Sequence, residues 1–139
     1  MWTAEQLRAI NEDGNLLVSA AAGAGKTAVM TERIARIIAS GTDVSEILVV
    51  TFTNPAAAEM KQRIERRLSE LAESTDDTKL KMHLHDSAIN ISTANISTIH
   101  SFCGNVLRRN CHIVGLDPAF RTADAAEAAL LRLKALDDI

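Results

Sequence analysis

A glycine, lysine and threonine triplet near the N-terminus carries the clearest chemistry in this sequence. Gly25, Lys26 and Thr27 follow a loop of small residues, 20–24, which contains a further glycine at Gly23. A phosphate chain binds where backbone N–H groups converge at a helix N-terminus and a mobile cation follows the negative charge. In such a loop Lys26 would reach the β- and γ-phosphates of a nucleotide, and the Thr27 hydroxyl would ligate Mg²⁺. The pattern therefore predicts a site for ATP and Mg²⁺.

This loop departs at one position from the phosphate-loop pattern G-x-x-x-x-G-K-[ST], because its first glycine is Ala20 here. In the alternative interpretation, Gly25 only eases a turn between a strand and a helix, and Lys26 is solvated. The predicted strand before the loop and the helix after it favour nucleotide binding. The predicted nucleotide contacts of the loop are Ala22, Gly23, Ala24, Gly25, Lys26, Thr27 and Ala28, with Lys26 and Thr27 as the catalytic residues and Thr27 as the Mg²⁺ ligand.

Strands and helices alternate along the chain around this loop. Apolar runs predict a buried strand at 16–19 and a second strand at 46–52 with both faces covered. The β-branched end of a segment rich in Ser, Thr and Asn predicts a third strand at 95–99. Helices are predicted at about 3–10, 26–39 (Met30, Ile34, Ile37 and Ile38 inward), 54–73 (Met60, Ile64, Leu68 and Leu71 inward), 100–110 and 125–136. This order is typical of an α/β domain in which helices flank a parallel sheet. So few strands rarely complete such a sheet, and we expect an incomplete domain.

Composition limits the class of protein. The 139 residues suit one domain with a single core. Lys and Arg number 15 against 18 Asp and Glu, and this balance disfavours a uniformly basic nucleic-acid-binding module. The basic residues of the helix at 54–73 alternate with glutamates and predict a solvated helix face, at Lys61, Arg63, Arg66 and Arg67. Without a long apolar run or a basic leader before an apolar one, we expect a cytoplasmic protein with no membrane partner.

Polar side chains follow the second predicted strand. Thr51, Thr53 and Asn54 lie where this strand ends, and α/β sheets hold ligands at the carboxyl ends of parallel strands. The alternative is a helix cap, because Asn-Pro with a neighbouring threonine commonly begins a helix. Phe52 either stacks against a base or packs in the core, and its place within a predicted strand favours the core.

The loop SAAAGAGKTAVM at 19–30, with alanine in place of the first glycine, resembles that of superfamily 1 DNA helicases of the UvrD/Rep/RecB type. Three further segments resemble motifs of this family and occur in the same order. WTAEQ at 2–6 resembles its Q motif, VTFTNPAAAEM at 50–60 resembles its motif Ia, and STIHSF at 97–102 resembles its Thr-x-His-x-Phe motif. The resemblance implies that Gln6 hydrogen-bonds the adenine of ATP. It also implies that single-stranded DNA contacts Thr51, Phe52, Thr53, Asn54, Thr98, His100 and Phe102. Gln6 has an alternative role, since Thr3-x-x-Gln6 fits a helix capping box, and both roles compete for one amide group.

Within this family, the loop and the segment 115–124 are similar to the AddA type, the helicase-nuclease subunits of bacterial double-strand-break repair complexes. This likeness implies a P-loop NTPase (RecA-like) parallel sheet, with residues 1–139 as part of the N-terminal domain, ending before the Walker B strand. It implies an ATP-dependent 3′-to-5′ helicase on single-stranded and duplex DNA, with exonuclease activity elsewhere and a second, AddB-like subunit. Hydrolysis in the family needs an acidic pair and arginines outside 1–139, so residues 1–139 alone are expected to bind Mg-ATP weakly and hydrolyse it poorly.

Three other interpretations remain open. A UvrD/Rep-like repair helicase without a nuclease shares most of the same motifs. A small-molecule kinase would carry the same phosphate loop, but it would also need a substrate lid and arginine clamps on a second phosphate group. A non-catalytic nucleic-acid-binding module would need more basic residues than this chain offers, and its binding would fall steeply with salt.

Overall fold

The computed structural model describes residues 2–21 and 23–137. Its helices are α1 (Ala4–Asn11), α2 (Lys26–Ala39), α3 (Asn54–Ser74), α4 (Thr78–Asn90), α5 (Ile99–Arg109) and α6 (Ala125–Asp137). Its strands are β1 (Leu48–Thr51) and β2 (Asn95–Thr98), each preceded by a short 3₁₀ turn, Val44–Glu46 and Ile91–Thr93. The chain divides between Phe102 and Cys103 into two compact units. Within the described ranges, no helix combines the length and apolarity needed to cross a membrane.

The two strands lie side by side and run parallel. Leu48 pairs with Asn95 at one end of the ladder, and Thr51 pairs with Thr98 at the other. Parallel neighbours need a crossover connection, and α3 and α4 supply it. The second and third predicted strands are therefore confirmed. Each of them is somewhat shorter than the segment predicted for it.

In the part of the chain that the structure describes, helices cover only one face of this sheet. α3 packs against both strands, and Val49 and Ile96 are buried beneath it. Successive side chains of a strand point to opposite faces, so Leu48 and Val50 lie on the other face and are 50% and 43% exposed. The prediction that both faces of the second strand are covered is wrong for the described residues, because apolar composition does not reveal which face a neighbour occupies.

The strand predicted at 16–19 is also absent from the described structure. Leu17 is 95% exposed, and Leu16 and Val18 are more than one-third exposed. The run has the composition of a strand, but a strand exists only through hydrogen bonds to a neighbouring strand. Among the described residues β1 and β2 pair only with each other, which leaves this segment without a ladder. The α/β class with a small parallel sheet is confirmed, whereas the phosphate loop follows an irregular segment.

The core of the first unit lies between the sheet and α2, α3 and α4. On α3 the predicted Met60, Ile64 and Leu68 are buried, whereas the predicted Leu71 is only half-buried against this core. Ala57 and Ala72 are buried on α3 as well. On α2 the predicted Ile34 and Ile38 are buried, whereas Met30 and Ile37 are 45% and 37% exposed. Val29 and Ala35 are buried on α2 as well. The buried stripe therefore shares two residues with the predicted one and differs from it at the other two.

The helix α4 is not among the predicted elements. The Asp77 carboxylate begins this helix by accepting hydrogen bonds from two backbone N–H groups of the first turn, at 2.9 and 3.3 Å. Leu84 and Ala88 follow one turn apart on the buried face. His83 Nε2 lies 2.7 Å from the Ile38 carbonyl oxygen, which ties α4 to the end of α2. The aspartate cap and the four-residue apolar spacing are the sequence pattern that predicts such a helix.

The second unit contains most of α5 and all of α6, where helices were predicted at 100–110 and 125–136. The Arg108 guanidinium lies 5.6 Å from the centroid of the Phe120 ring, within cation–π range. Arg121 pairs with Glu127, and this contact lowers the pKa of the glutamate. α6 exposes four leucines among its described residues: Leu130, Leu131, Leu133 and Leu136.

A half-buried ion pair joins α2 to α3. Arg67 donates two hydrogen bonds to the Glu32 carboxylate, at 2.6 and 2.8 Å. These bonds raise the pKa of the guanidinium. Arg63 instead pairs with Glu59 one turn away on the exposed surface of α3, as the alternating charges predicted. The solvated-face prediction thus holds for Arg63. It is wrong in part for Arg67, which pairs with Glu70 within α3 but is half-buried and makes its two-point contact with Glu32 on another helix.

Glu32→Gln is expected to destabilise the fold by about 1 kcal/mol, because it removes the charge from a two-point ion pair that is partly shielded from water. Urea denaturation monitored by circular dichroism measures the change. Glu59→Gln is the matched control, since its exposed pair contributes only about 0–0.5 kcal/mol. Equal effects of the two substitutions would show that the α2–α3 pair adds nothing beyond a surface contact.

Candidate nucleotide site and strand-end surface

The phosphate loop is shaped by two glycines. Gly25 is the N-cap residue of α2 at φ 80° and ψ 19°, and Gly23 has φ 80°. Both values lie in the left-handed region that side chains with a Cβ disfavour. Among the described residues no side chain caps α2, and its first turn carries no acidic residue. Its N–H groups can therefore receive an anion. Ala22, one of the predicted contacts, lies outside the described residues.

Lys26 folds back over the loop that precedes it. Its Nζ donates hydrogen bonds of 2.6 Å to the Ala20 carbonyl and 2.7 Å to the Ala21 carbonyl. An ammonium group has three donors, so a third N–H remains for another partner. Lys26 is exposed, as the alternative interpretation expects, and two backbone oxygens hold its amine at the loop.

The exposed Thr27 lies in the first turn of α2, next to Lys26. Its carbonyl oxygen accepts a hydrogen bond of 2.9 Å from the Thr31 hydroxyl, one turn further along the helix. Thr31 is buried, and its hydroxyl lies 3.7 Å from the Met60 sulfur on α3. The buried Thr31 thus connects the first turn of α2 to α3. The Thr27 side chain is exposed, so a metal ion could reach it.

Gln6 connects α1 to the phosphate loop. Its Oε1 accepts a hydrogen bond of 2.9 Å from the Thr3 backbone N–H, while the Thr3 hydroxyl accepts one of 3.2 Å from the Gln6 backbone N–H. The capping-box alternative is therefore confirmed. The Gln6 Nε2 also donates a hydrogen bond of 3.3 Å to the Ala24 carbonyl.

The capping box does not use up the Gln6 amide. A carboxamide oxygen has two lone pairs and its nitrogen has two N–H groups, and the contacts to Thr3 and Ala24 occupy one of each. One acceptor site and one donor site remain on adjacent atoms. Capping therefore leaves a donor and an acceptor of this amide unused, and the contact of Gln6 with a base stays a prediction.

A cavity of about 270 Å³ lies between α1 and the loop. Gln6 and Lys26, far apart in sequence, both line it. The other lining residues are Thr3, Glu5, Ala9, Val18, Ser19, Ala20, Ala24 and Val29. Val18 and Ser19 are not among the predicted contacts, because their apolar run predicts a buried strand. Their position just before the loop is the only pattern that points to them.

The carboxyl ends of the strands form the second candidate site. Thr51 and Thr98 face each other in register at the end of the sheet. We call the residues that follow them the strand-end surface: Phe52, Thr53, Asn54, His100 and Phe102. Phe52 is fully exposed, so its interpretation as a core residue is wrong. The reason is local, since β1 ends at Thr51 and the chain bends before α3 begins.

The threonines of this region also make structural contacts. The Thr53 hydroxyl caps α3 by accepting a hydrogen bond of 3.3 Å from the Ala56 N–H, which confirms the helix-cap alternative for that residue. The Thr51 hydroxyl donates a hydrogen bond of 3.0 Å to the Thr53 carbonyl. Thr98 is buried, and its hydroxyl donates to that of Ser101 at 2.9 Å. Asn54 and His100 are exposed, and Phe102 is half-buried.

Fold and site together define an α/β domain with a glycine-rich loop at a helix start and a polar surface at the strand ends. The family described as the UvrD/REP helicase N-terminal domain matches residues 2–138. The chain therefore belongs to the UvrD/REP helicase N-terminal domain family.

Curated relatives are similar to almost the whole chain. It is 47% identical over 140 residues to an ATP-dependent helicase/nuclease subunit of Alkaliphilus metalliredigens. It is 49% identical to the proteins of the same name from Heliobacterium modesticaldum and Desulforamulus reducens. These alignments cover 99% of the chain but only 12%, 10% and 11% of the relatives. The resemblance to superfamily 1 helicases of the AddA type is confirmed, and the chain spans about a tenth of those relatives.

Proposed function

We propose that this chain is the ATP-binding part of an ATP-dependent 3′-to-5′ DNA helicase of the helicase-nuclease type, acting in double-strand-break repair. One observation carries the proposal: Gln6 and Lys26 line the same cavity beside the uncapped start of α2. A base-reading amide and a phosphate-binding amine at one cavity are the two ends of a nucleotide site. The relatives are named as ATP-dependent helicase/nuclease subunits, and this name supports the motor and the nuclease.

In the proposed site, Lys26 exchanges the Ala20 and Ala21 carbonyls for oxygens of the β- and γ-phosphates. The backbone N–H groups of residues 23–28 surround the phosphate chain, since α2 presents no acidic side chain there. The free acceptor and donor of Gln6 pair with the donor and acceptor on the adenine edge. The exposed Thr27 hydroxyl would hold Mg²⁺, which neutralises phosphate charge when bound.

Single-stranded DNA is the proposed ligand of the strand-end surface. The exposed Phe52 ring offers a stacking platform, and the exposed Asn54 and His100 offer polar groups for the backbone. Thr51 and Thr53 lie next to these residues and would add hydroxyl groups to the DNA contact. Thr98 is buried and Phe102 is half-buried, and both would support the surface. The proposed partners of the whole protein are duplex DNA and a second, AddB-like subunit.

Calorimetric titration of the protein at its full natural length with Mg-ATP tests the nucleotide site. Binding is expected at concentrations below about 1 mM, the upper end of the usual enzyme range. ATP hydrolysis is expected to rise at least about tenfold with single-stranded DNA, as conformational coupling between two sites requires. Phosphorylation of a nucleoside monophosphate would favour a kinase instead. Unwinding without degradation of DNA ends would favour a repair helicase that lacks a nuclease.

Thr27→Ala is expected to weaken the binding of ATP about fivefold in the presence of Mg²⁺, because it removes one oxygen ligand of the metal. In EDTA the same substitution is expected to leave the ATP affinity unchanged, which separates a metal ligand from a packing role. Ser40→Ala, which removes an exposed hydroxyl at the other end of α2, serves as the matched control. An equal loss with and without Mg²⁺ would contradict the assignment of Thr27 as the ligand.

A further inference from the structure

Two arginines of α2 donate hydrogen bonds to backbone carbonyls at the C-terminal end of α1. Arg33 Nη1 donates hydrogen bonds of 2.8 Å to the Ala9 carbonyl and 2.6 Å to the Glu12 carbonyl. Arg36 Nη1 donates one of 3.1 Å to the Ile10 carbonyl. We call Arg33 and Arg36 the arginine clamp. The last carbonyls of a helix have no partner within it and carry partial negative charge, so cationic donors are favoured there.

α1 depends on such contacts for its position. A helix of eight residues is marginal in isolation, so tertiary contacts must hold it in place. Ile10 is buried where α1 packs against α2, and it is the only buried residue of α1 in the described structure. The clamp adds three hydrogen bonds from charged donors at the same end of the helix. α1 is thus fixed to α2 mainly at its C-terminus.

The other end of α1 presents Gln6 to the phosphate loop. Gln6 Nε2 donates to the Ala24 carbonyl and lies 3.3 Å from the place where a Cβ on Gly25 would stand. Because Gln6 Nε2 lies this close to the phosphate loop, a small shift of α1 would change which groups the Gln6 amide can hydrogen-bond. Lys26 and Arg33 belong to the same helix, about two turns apart. One rigid helix therefore carries both the phosphate-binding amine and the anchor of the base-reading amide.

We propose that Arg33, assisted by Arg36, is a positioning residue for recognition of the purine base. By holding α1 on α2, the arginine clamp sets the distance between the Gln6 amide and the phosphate loop, and so the distance between base and triphosphate contacts. Arg33 touches neither the base nor the phosphates in this scheme. The inference rests on the proposed ATP site, and it predicts that loss of the clamp weakens base contact while phosphate contact persists.

The test compares two ligands, Mg-ATP and Mg-tripolyphosphate, on the protein at its full natural length. Arg33→Met keeps the apolar length of the side chain and removes its donors. It is expected to raise the Kd for Mg-ATP about tenfold and to leave the Kd for Mg-tripolyphosphate unchanged. Arg36→Met, which loses one longer bond, is expected to have a smaller effect, and Arg33→Lys is expected to restore part of the lost affinity. Arg132→Met on the exposed face of α6 is the matched control.

A merely structural role gives a different result. If Arg33→Met weakens both ligands by the same factor, or neither of them, the positioning role is overturned. Should Arg33→Met fail to fold by circular dichroism, Arg36→Met and Arg33→Lys carry the same comparison between the two ligands. If the unaltered protein binds neither ligand, the proposed nucleotide site itself fails. If the unaltered protein binds Mg-ATP and Mg-tripolyphosphate with the same Kd, phosphate binding is supported. The proposed roles of Gln6 and of the arginine clamp in base recognition are then both contradicted.

Discussion

Lys26→Ala is expected to lower the affinity for Mg-ATP at least about 100-fold, because the lysine would make two charge-assisted hydrogen bonds to phosphate oxygens. Stability should change by less than about 0.5 kcal/mol, since Lys26 is an exposed residue at the start of α2. The two loop carbonyls that now accept from its Nζ belong to exposed residues and can be hydrated instead. The substitution thus separates binding from folding.

Calorimetric titration of the variant with Mg-ATP measures the loss, and thermal unfolding without nucleotide checks the fold. Lys134→Ala removes the same group from the exposed face of α6 and is the matched control. Affinity within about threefold of the unaltered protein would remove Lys26 from the phosphate site. In that case its hydrogen bonds to Ala20 and Ala21 would be its whole role.

Local patterns predicted the elements that depend on neighbouring residues. The capping box at Thr3 and Gln6 follows from two side chains that are three residues apart. The Thr53 cap of α3 is of the same kind. In each case the hydrogen-bonding groups lie within four residues of one another, so the sequence contains all of the interaction.

Apart from Phe52, the main wrong predictions concern contacts that are distant in sequence. The run at 16–19 has a strand's composition, but a ladder needs a neighbour that composition does not reveal. Arg67 pairs with Glu70 within α3, as spacing along that helix suggested, but its two-point partner Glu32 lies on α2. Burial of the outer face of β1 likewise depends on what packs against Leu48 and Val50. Two further contacts are also distant in sequence and were not predicted. Gln6 donates a hydrogen bond to the Ala24 carbonyl, and Arg33 donates one to the Ala9 carbonyl of α1.

The two candidate sites are connected through the packing of α2 against α3. α2 begins at the phosphate loop, and α3 begins at the strand-end surface with Thr53 as its cap. Between these starts, the buried Thr31 hydroxyl meets the Met60 sulfur, and Glu32 pairs with Arg67. If ATP binding moves the start of α2, these contacts are the physical route by which α3 would respond. Coupling of this kind requires both ligands to favour the same arrangement.

Phe52→Ala is expected to weaken the binding of single-stranded DNA about 30-fold, since stacking of a base on an aromatic ring contributes roughly 1–3 kcal/mol. The chain has only three phenylalanines, one tryptophan and no tyrosine, so few other rings could replace it. Because Phe52 is fully exposed, its removal should leave the free energy of unfolding unchanged. A core phenylalanine would give the opposite pattern, with a loss of about 3–5 kcal/mol in stability.

Fluorescence anisotropy with a labelled single-stranded oligonucleotide, at one fixed salt concentration, measures this effect. Met82→Ala on α4 truncates another exposed apolar side chain and controls for a general loss of apolar surface. Phe52→Leu keeps the apolar character without the ring, so it separates stacking from simple hydrophobic contact. If both Phe52 variants bind DNA as the unaltered protein does, the strand-end surface does not stack bases. Thr53 would then be left with its observed role as the cap of α3.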